Sequence, residues 1–339
     1  MTSSNKKDLI VTLADANFID QAKQLFSSVY FNAAWSGDYL LLACGINDKD
    51  LAWFESKGIL VYKQPLLANS PLGIRSYPPI VLSKFYLFQE YFKKWNKIIF
   101  LDADIIVRAP LDKLLRLKGF NAPKAVTFRL KDEFISDKTK IKAITRNYSL
   151  RGPAFNTGVL VFDSSLIEVD TFDKIISLYN NIKDLCQYQE ESTLNLLFYK
   201  KWHVLPIVYN STPWYMRKTY CLKDSEILAY IIHFVCEEFK PWHERSYYYK
   251  EWSANLAKAE QINLTMRSVA INNFSGLKLF SYTFYLKMID FFHLIYSPLI
   301  MIDGAMGRLG LIIKKKNPEL YKVINIKKFL KFRLKEKDE

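Results

Sequence analysis

Residues 97–107 read Lys-Ile-Ile-Phe-Leu-Asp-Ala-Asp-Ile-Ile-Val, and Asp102 and Asp104 within them have a clear capacity for chemistry. Four apolar residues, Ile98–Leu101, come first, as in a strand buried on both faces of a parallel sheet. Ligands of open α/β sheets sit at the carboxyl ends of such strands, where the two carboxylates stand. Two carboxylates so close ionise together only when a cation joins them, and a divalent metal holding a diphosphate would do so. An Asp at a strand end also caps turns and helices, so the tripeptide alone leaves both readings open. His233 ends the apolar run Ile231-Ile232-His233 and is either a structural core histidine or a third ligand. Imidazole with two carboxylates suits Mn²⁺. Lys240, followed by Pro241 and Trp242, would then bring a point charge to a phosphate oxygen.

These residues need elements to position them. The apolar pattern predicts strands at Leu9–Leu13, Tyr39–Ala43, Ile59–Tyr62, Val159–Phe162 and His203–Pro206. It predicts helices at Ile19–Tyr30, Leu51–Lys57, Ile80–Phe92, Phe172–Leu185 and Glu190–Tyr199. Alternating strands and helices argue for an α/β fold, a single Rossmann-like, mostly parallel sheet flanked by helices. No Gly-x-Gly-x-x-Gly follows the first strand and no Walker-type loop occurs, which excludes those phosphate-binding motifs. Pro65–Pro79 reads as a loop, and the charged stretch 129–152 as either a flap over a site or a surface excursion.

The formal net charge is +14, which points to an anionic partner. Residues 304–339 carry eleven Lys/Arg and four acids, so half of the excess belongs to the tail. From Leu277 to Ile302 the chain is dense in Phe, Tyr, Leu and Ile. This aromatic, basic C-terminus has three readings: a helical cap on the core, attachment to an anionic membrane surface, or polyanion binding. Nucleic acid is the weakest of them, since no nucleic-acid module is present. The charge-free stretch Phe291–Ile302 is too short to span a bilayer. The N-terminus lacks a signal-like apolar region, and four cysteines without metal-like spacing suit a reducing compartment. The expected location is therefore cytoplasmic, peripheral on the inner face of a membrane. The expected division is 1–250 for the α/β domain and 251–339 for a helical, aromatic and basic extension.

Four motifs in order carry a resemblance: Leu-Asp-Ala-Asp at 101–104, Phe-Asn-Thr-Gly-Val at 155–159, Glu-Glu-Ser-Thr-Leu-Asn at 190–195, and His-Phe with Lys-Pro-Trp at 233–242. Over residues 8–245 the chain resembles glycosyltransferase family 8, which includes glycogenin, galactinol synthases and bacterial lipopolysaccharide galactosyl- and glucosyltransferases. The resemblance implies a GT-A fold and a retaining transfer of a hexose from a UDP-sugar to a glycan, lipid-linked or polyol acceptor. It implies that Asp102, Asp104 and His233 hold Mn²⁺, or Mg²⁺, at the donor diphosphate, with Lys240 on the same phosphates. Arg75 and Lys84 match a family Arg and Lys near the donor. Leu13, Ala14 and Phe18 match the uracil and ribose site, Ala103 a ribose contact, and Asn156 and Thr157 residues that face the sugar.

Two departures stand out. The family usually has Asp-Gln where this chain has Glu190-Glu191, the catalytic position facing the sugar, so a neutral amide is replaced by a carboxyl. His233 and Lys240 lie seven positions apart, where many members have six and a Gly in the middle. Galactinol synthases share the longer interval and a Pro-x-Val-Tyr-Asn stretch like Pro206–Asn210. For mechanism, a front-face attack with Glu190 or Asn156 stabilising the sugar cation is favoured over double displacement through a carboxylate. A glycogenin-like self-glycosylating protein and a non-catalytic nucleotide-sugar-binding protein are the alternatives.

Overall fold

The structure, a computed structural model, describes residues 6–73, 75–135, 141–265 and 278–291. The strands are β1 (Leu9–Ala14), β2 (Asp38–Ala43), β3 (Leu60–Lys63), β4 (Lys97–Leu101), β5 (Ile105–Val107), β6 (Phe120–Arg129), β7 (Pro153–Phe155), β8 (Val159–Asp163), β9 (Trp202–Leu205) and β10 (Ile231–His233). The α-helices are α1 (Ile19–Ser28), α2 (Asp48–Ser56), α3 (Lys142–Thr145), α4 (Thr171–Ile182), α5 (Glu190–Leu197), α6 (Pro213–Tyr220) and α7 (Tyr249–Lys258).

The main sheet runs β3-β2-β1-β4-β8-β6-β7, with β9 on β6. Strands β3, β2, β1 and β4 are mutually parallel, and β8 joins β4 antiparallel. Every residue of β1 and β4 is buried, the consequence of unbroken apolar runs covered on both faces. Val11 lies opposite Phe100 in the β1–β4 register, which brings Leu13 and Ala14 level with Asp102. Beyond the main sheet, β5 and β10 form a two-stranded antiparallel ribbon with His233 opposite Ile105. The chain thus leaves β4, passes the two aspartates and at once enters a second ribbon whose partner strand ends in His233.

The expected helix at Ile80–Phe92 is instead two 3₁₀ segments, Pro79–Phe88 and Glu90–Lys94, parted by an extended Gln89. Seven consecutive residues, Leu82–Phe88, are buried. A 3₁₀ path stacks side chains every third residue and lets this segment face the core on more than one side. Strand β6, with its internal Pro123, and helices α6 and α7 had no counterpart in the sequence reading. Helix α7 crosses residue 250 and packs on α1, within a first unit that runs from Met1 to Ser275.

The stretch 129–152 is tied down where it is described. Leu130, Phe134 and Ile144 form a small core with Ile182, Leu185, Cys186 and Leu196. The backbone N–H of Ser149 also donates to the Tyr199 hydroxyl at 2.9 Å. A second unit spans Gly276–Glu339. In it residues 278–291 are helical, with Phe280 67% and Phe284 56% exposed. The basic tail 304–339 lies outside the described residues. Among the described residues, no helix is long and apolar enough to cross a membrane.

Candidate active site

The Asp102–Asp104 turn is held from three sides. The Asp102 N–H donates to the Gly158 carbonyl at 2.9 Å, and the Phe234 N–H to the Asp104 carbonyl at 3.1 Å. The Thr12 hydroxyl donates to the Leu101 carbonyl at 2.7 Å. These bonds tie β1, the turn before β8 and the end of β10 to one point, and the side chains of Asp102, Asp104 and His233 converge there. One donor atom from each lies within 4.8 Å of the others. His233 Nε2 is 3.2 Å from Asp104 Oδ1 and 3.8 Å from Asp102 Oδ2.

The histidine is oriented for ligation. Its Nδ1 lies 2.9 Å from Asn210 Oδ1. An amide oxygen only accepts, so Nδ1 carries a proton and Nε2 is the nitrogen turned to the carboxylate side. Gly158 makes room for the ring: a Cβ there would lie 2.1 Å from His233 Cε1. The space and the donor set, two carboxylates and an imidazole, fit a divalent cation.

Two lysines bracket the cluster. Lys240 Nζ donates to Asp104 Oδ2 at 2.7 Å and to the Phe234 carbonyl. Burial of Asp104 favours its neutral form, but His233 and Lys240 overcome it and hold the carboxyl well below the usual range. Lys84 is buried in the 3₁₀ segment, 3.0 Å from Asp102 Oδ1 and 3.3 Å from both Glu190 Oε1 and Thr157 Oγ1. Burial opposes its charge, yet Asp102 and Glu190 hold the ammonium above its ordinary range. Lys84 therefore joins the aspartate cluster to the glutamates.

Glu190 and Glu191 open α5, where the helix N-terminus favours carboxylates. Gln189 just before them has φ +48°, a region a non-Gly residue adopts only under constraint. The constraint is visible. The Tyr179 hydroxyl donates to Gln189 Oε1 at 2.9 Å, and Gln189 Nε2 to the Cys186 carbonyl at 3.2 Å. Glu191 Oε2 accepts from Asn156 Nδ2 and from the Thr157 N–H, each at 3.0 Å. Burial, then Glu190, pushes the Glu191 carboxyl up to about 7. Burial also raises Glu190, although Lys84 opposes it.

Most of the residues singled out in the sequence thus come together: Asp102, Ala103, Asp104, His233, Lys240, Lys84, Asn156, Thr157, Glu190 and Glu191, with Leu13 and Ala14 level with Asp102. Phe18 meets Trp242 edge-on, ring centres 6.0 Å apart. Arg75 is exposed, its guanidinium 4.6 Å from the ring centre of Tyr188, two residues before Glu190. Among the described residues no ion pair joins Arg75 to the cluster.

Three residues escaped the sequence reading. Asn210 sets the His233 tautomer, and its place in Pro206–Asn210 gave no hint of that. Glu133, fully buried, lies behind Glu191. Glu237, in the lengthened interval before Lys240, accepts from the Trp214 N–H at the start of α6 and from Arg217 Nη2 at 2.7 Å. The same interval carries Cys236 at φ +58°, a backbone that glycine takes more easily.

The sequence pattern of glycosyl transferase family 8 matches residues 10–246. Uncharacterized protein R707 of Acanthamoeba polyphaga mimivirus is 29% identical over 153 residues, 44% of this chain and 51% of its own length. Lipopolysaccharide 1,2-glucosyltransferase of Escherichia coli is 24% identical over 204 residues, 56% of each chain. The chain thus spans about half the length of these curated relatives. Among solved structures, LgtC with a glutamine-to-glutamate active-site substitution gives a TM-score of 0.59 at 21% identity, covering 74% of this chain and 95% of LgtC. The galactosyltransferase LgtC with donor and acceptor sugar analogues gives 0.58 at 20% identity, with the same coverage. The glycosyltransferase GlyE of Streptococcus pneumoniae gives 0.55 at 19% identity, covering 77% of this chain and 63% of GlyE.

Proposed function

The chain belongs to glycosyltransferase family 8 and has a GT-A fold, and from that premise we propose that it is a metal-dependent, retaining transferase. It moves a hexose from a UDP-sugar to a glycan, lipid-linked or small polyol acceptor. The observation that carries this reading is the convergence of Asp102, Asp104 and His233 at the end of a parallel strand, with Lys84 and Lys240 on either side.

Asp102, Asp104 and His233 Nε2 are the groups that would hold Mn²⁺ or Mg²⁺. Such an ion, when bound, supplies positive charge for the diphosphate as the UDP departs. Lys240 has 36% of its side chain exposed, so it can keep Asp104 ionised and still reach a phosphate oxygen. Lys84 is too buried to leave its carboxylates and holds Asp102 and Glu190 in register. Leu13, Ala14, Phe18 and Ala103 form the nucleoside side, and Asn156, Thr157, Glu190 and Glu191 the sugar side. In the front-face route the acceptor oxygen bonds to the anomeric carbon as the bond from that carbon to the phosphate oxygen breaks. The acceptor proton passes to the departing phosphate, and the Asn156 oxygen or Glu190 stabilises the transient cationic sugar.

Attachment to an anionic membrane surface through the C-terminal unit belongs to the same reading. It is supported by the exposed Phe280 and Phe284 and by the excess of basic residues toward the C-terminus. Flotation with anionic vesicles of the full chain, compared with Phe280→Ser/Phe284→Ser, should fall in the variant; equal flotation would remove the membrane proposal. The transferase reading is tested by UDP release from a panel of nucleotide sugars with Mn²⁺, with and without chelator. One UDP-sugar should be hydrolysed or transferred only with metal. Metal-dependent binding without turnover of any donor would favour a non-catalytic sugar-binding protein.

A further inference from the structure

Three carboxyls, Glu133, Glu190 and Glu191, are buried on the sugar side, and one ammonium, Lys84, pairs with Glu190. Lys84 is already shared between Glu190 and Asp102. Glu133 is the outlier. It has no exposed surface, and its Oε1 has no hydrogen-bond partner. Among the described residues no cation pairs with it. Its other oxygen, Oε2, lies 3.1 Å from Ser192 Oγ. That hydroxyl has one proton, and it also lies 2.8 Å from the Glu133 carbonyl, an atom that can only accept. The Tyr188 N–H donates to the same Ser192 Oγ at 3.2 Å. With the hydroxyl proton on the carbonyl, the contact at Oε2 is a hydrogen bond only if the carboxyl brings the proton itself. An ionised carboxylate here would be buried without a cation, with one oxygen bare and the other facing a lone pair, a costly arrangement.

We propose that Glu133 is a positioning residue that stays a neutral carboxylic acid, so that Glu191 alone takes up negative charge on that side of the site. This rests on the proposed function for the role of Glu191, but not for the protonation itself. The neutral Glu133 donates to Ser192 Oγ and holds the first turn of α5 from behind. Glu191 then ionises while accepting from Asn156 and Thr157, which fixes that turn toward the sugar. If Glu133 were ionised, Glu191 would be forced to keep its proton.

The surroundings agree on each side. Asp132 lies on the same turn as Glu133, and Glu190 and Glu191 face it from α5. Cys186 and Tyr188, also near Glu133, bring no positive charge. Burial, then the Glu191 charge, pushes Glu133 well above the carboxylate range, while Glu191 stands near 7. Glu190 and Lys84 are the other charged groups at Glu191. The pair thus loses its first proton near neutrality and keeps the second.

The test is infrared spectroscopy of the full chain in D₂O at pH 8, reading the carbonyl stretch of buried protonated carboxyls. This readout needs no donor or acceptor, so it stands apart from any failure of the transferase assignment. The wild type should show the band, E133Q should lose it, and the double variant E190Q/E191Q should retain it. Absence of the band in the wild type, or its survival in a folded E133Q, overturns the proposal. If E133Q does not fold, the double variant decides: a retained band leaves Glu133 as its source, and a lost band contradicts the assignment.

Discussion

The two halves of the site treat their carboxyls in opposite ways. At the aspartate end, Asp104 is met by Lys240 and by the His233 ring, and Asp102 by Lys84. At the glutamate end, among the described residues, Lys84 pairs with Glu190 and no ion pair reaches Glu133 or Glu191. Asp104 is therefore held below the ordinary carboxylate range, and the three glutamates are pushed above it. The difference teaches a division of labour. Charge preset at one end suits a cation and a diphosphate, which arrive already charged. Protons retained at the other end suit contact with a sugar, which is neutral until its bond to phosphate breaks.

The comparison breaks most sharply at the aspartates. Asp104→Ala or His233→Ala should lower transfer by about 10³-fold, the scale of several kcal/mol of transition-state charge stabilisation; steady-state kinetics with the donor that the panel identifies would measure it. Gly158→Ala adds a methyl where the His233 ring sits, only 2.1 Å from Cε1. Displacing a ligand by about 1 Å costs on the order of 10²-fold, so kcat/KM should fall that far while the circular dichroism spectrum stays folded. Asn210→Ala frees the Nδ1 side of the ring and should weaken metal affinity about 10–100-fold, read by Mn²⁺ titration.

The smallest effect sharpens the other end. Glu191 is raised from 4.5 to about 7 by burial and Glu190. The folded chain therefore binds this proton more tightly than the unfolded chain. Its contribution to stability is complete below about pH 4.5 and is lost as pH rises through about 7. Asp104 runs the other way: its contribution is present above the ordinary carboxylate range and is lost only in strong acid. Between pH 5 and 8 the slope thus comes from the glutamates. Urea midpoints should fall over that interval in the wild type, and E191Q should flatten the fall; an equally steep fall in E191Q would remove Glu191 as a source.

What the sequence disclosed follows the same division. Asp102 and Asp104 could be read because an apolar strand ends at them, and β1, β2 and β4 because both faces of the sheet are covered, leaving unbroken apolar runs. His233 stood out as a polar residue ending such a run, although β5 and β10, which deliver it to Asp104, were too short to read as a ribbon. The sugar side was less legible. The Pro79–Phe88 segment holds Lys84 by a 3₁₀ path that its helix-like apolar density concealed. Glu133 looked like one charge among many in a charged stretch. Only the packing of Leu130, Phe134 and Ile144 against the 182–196 region buries it beside Glu191. Arg75 matched a family residue by spacing, and its guanidinium lies over the ring of Tyr188, two residues before Glu190.

The central claim, that Asp102, Asp104 and His233 clamp a nucleoside diphosphate through a divalent cation, is tested most directly by calorimetric titration of UDP into the full chain with and without Mn²⁺. Binding should weaken at least about 100-fold, some 2.7 kcal/mol, when the metal is withheld, and Asp104→Ala should show no metal effect. Equal UDP affinity with and without Mn²⁺ in the wild type would contradict it.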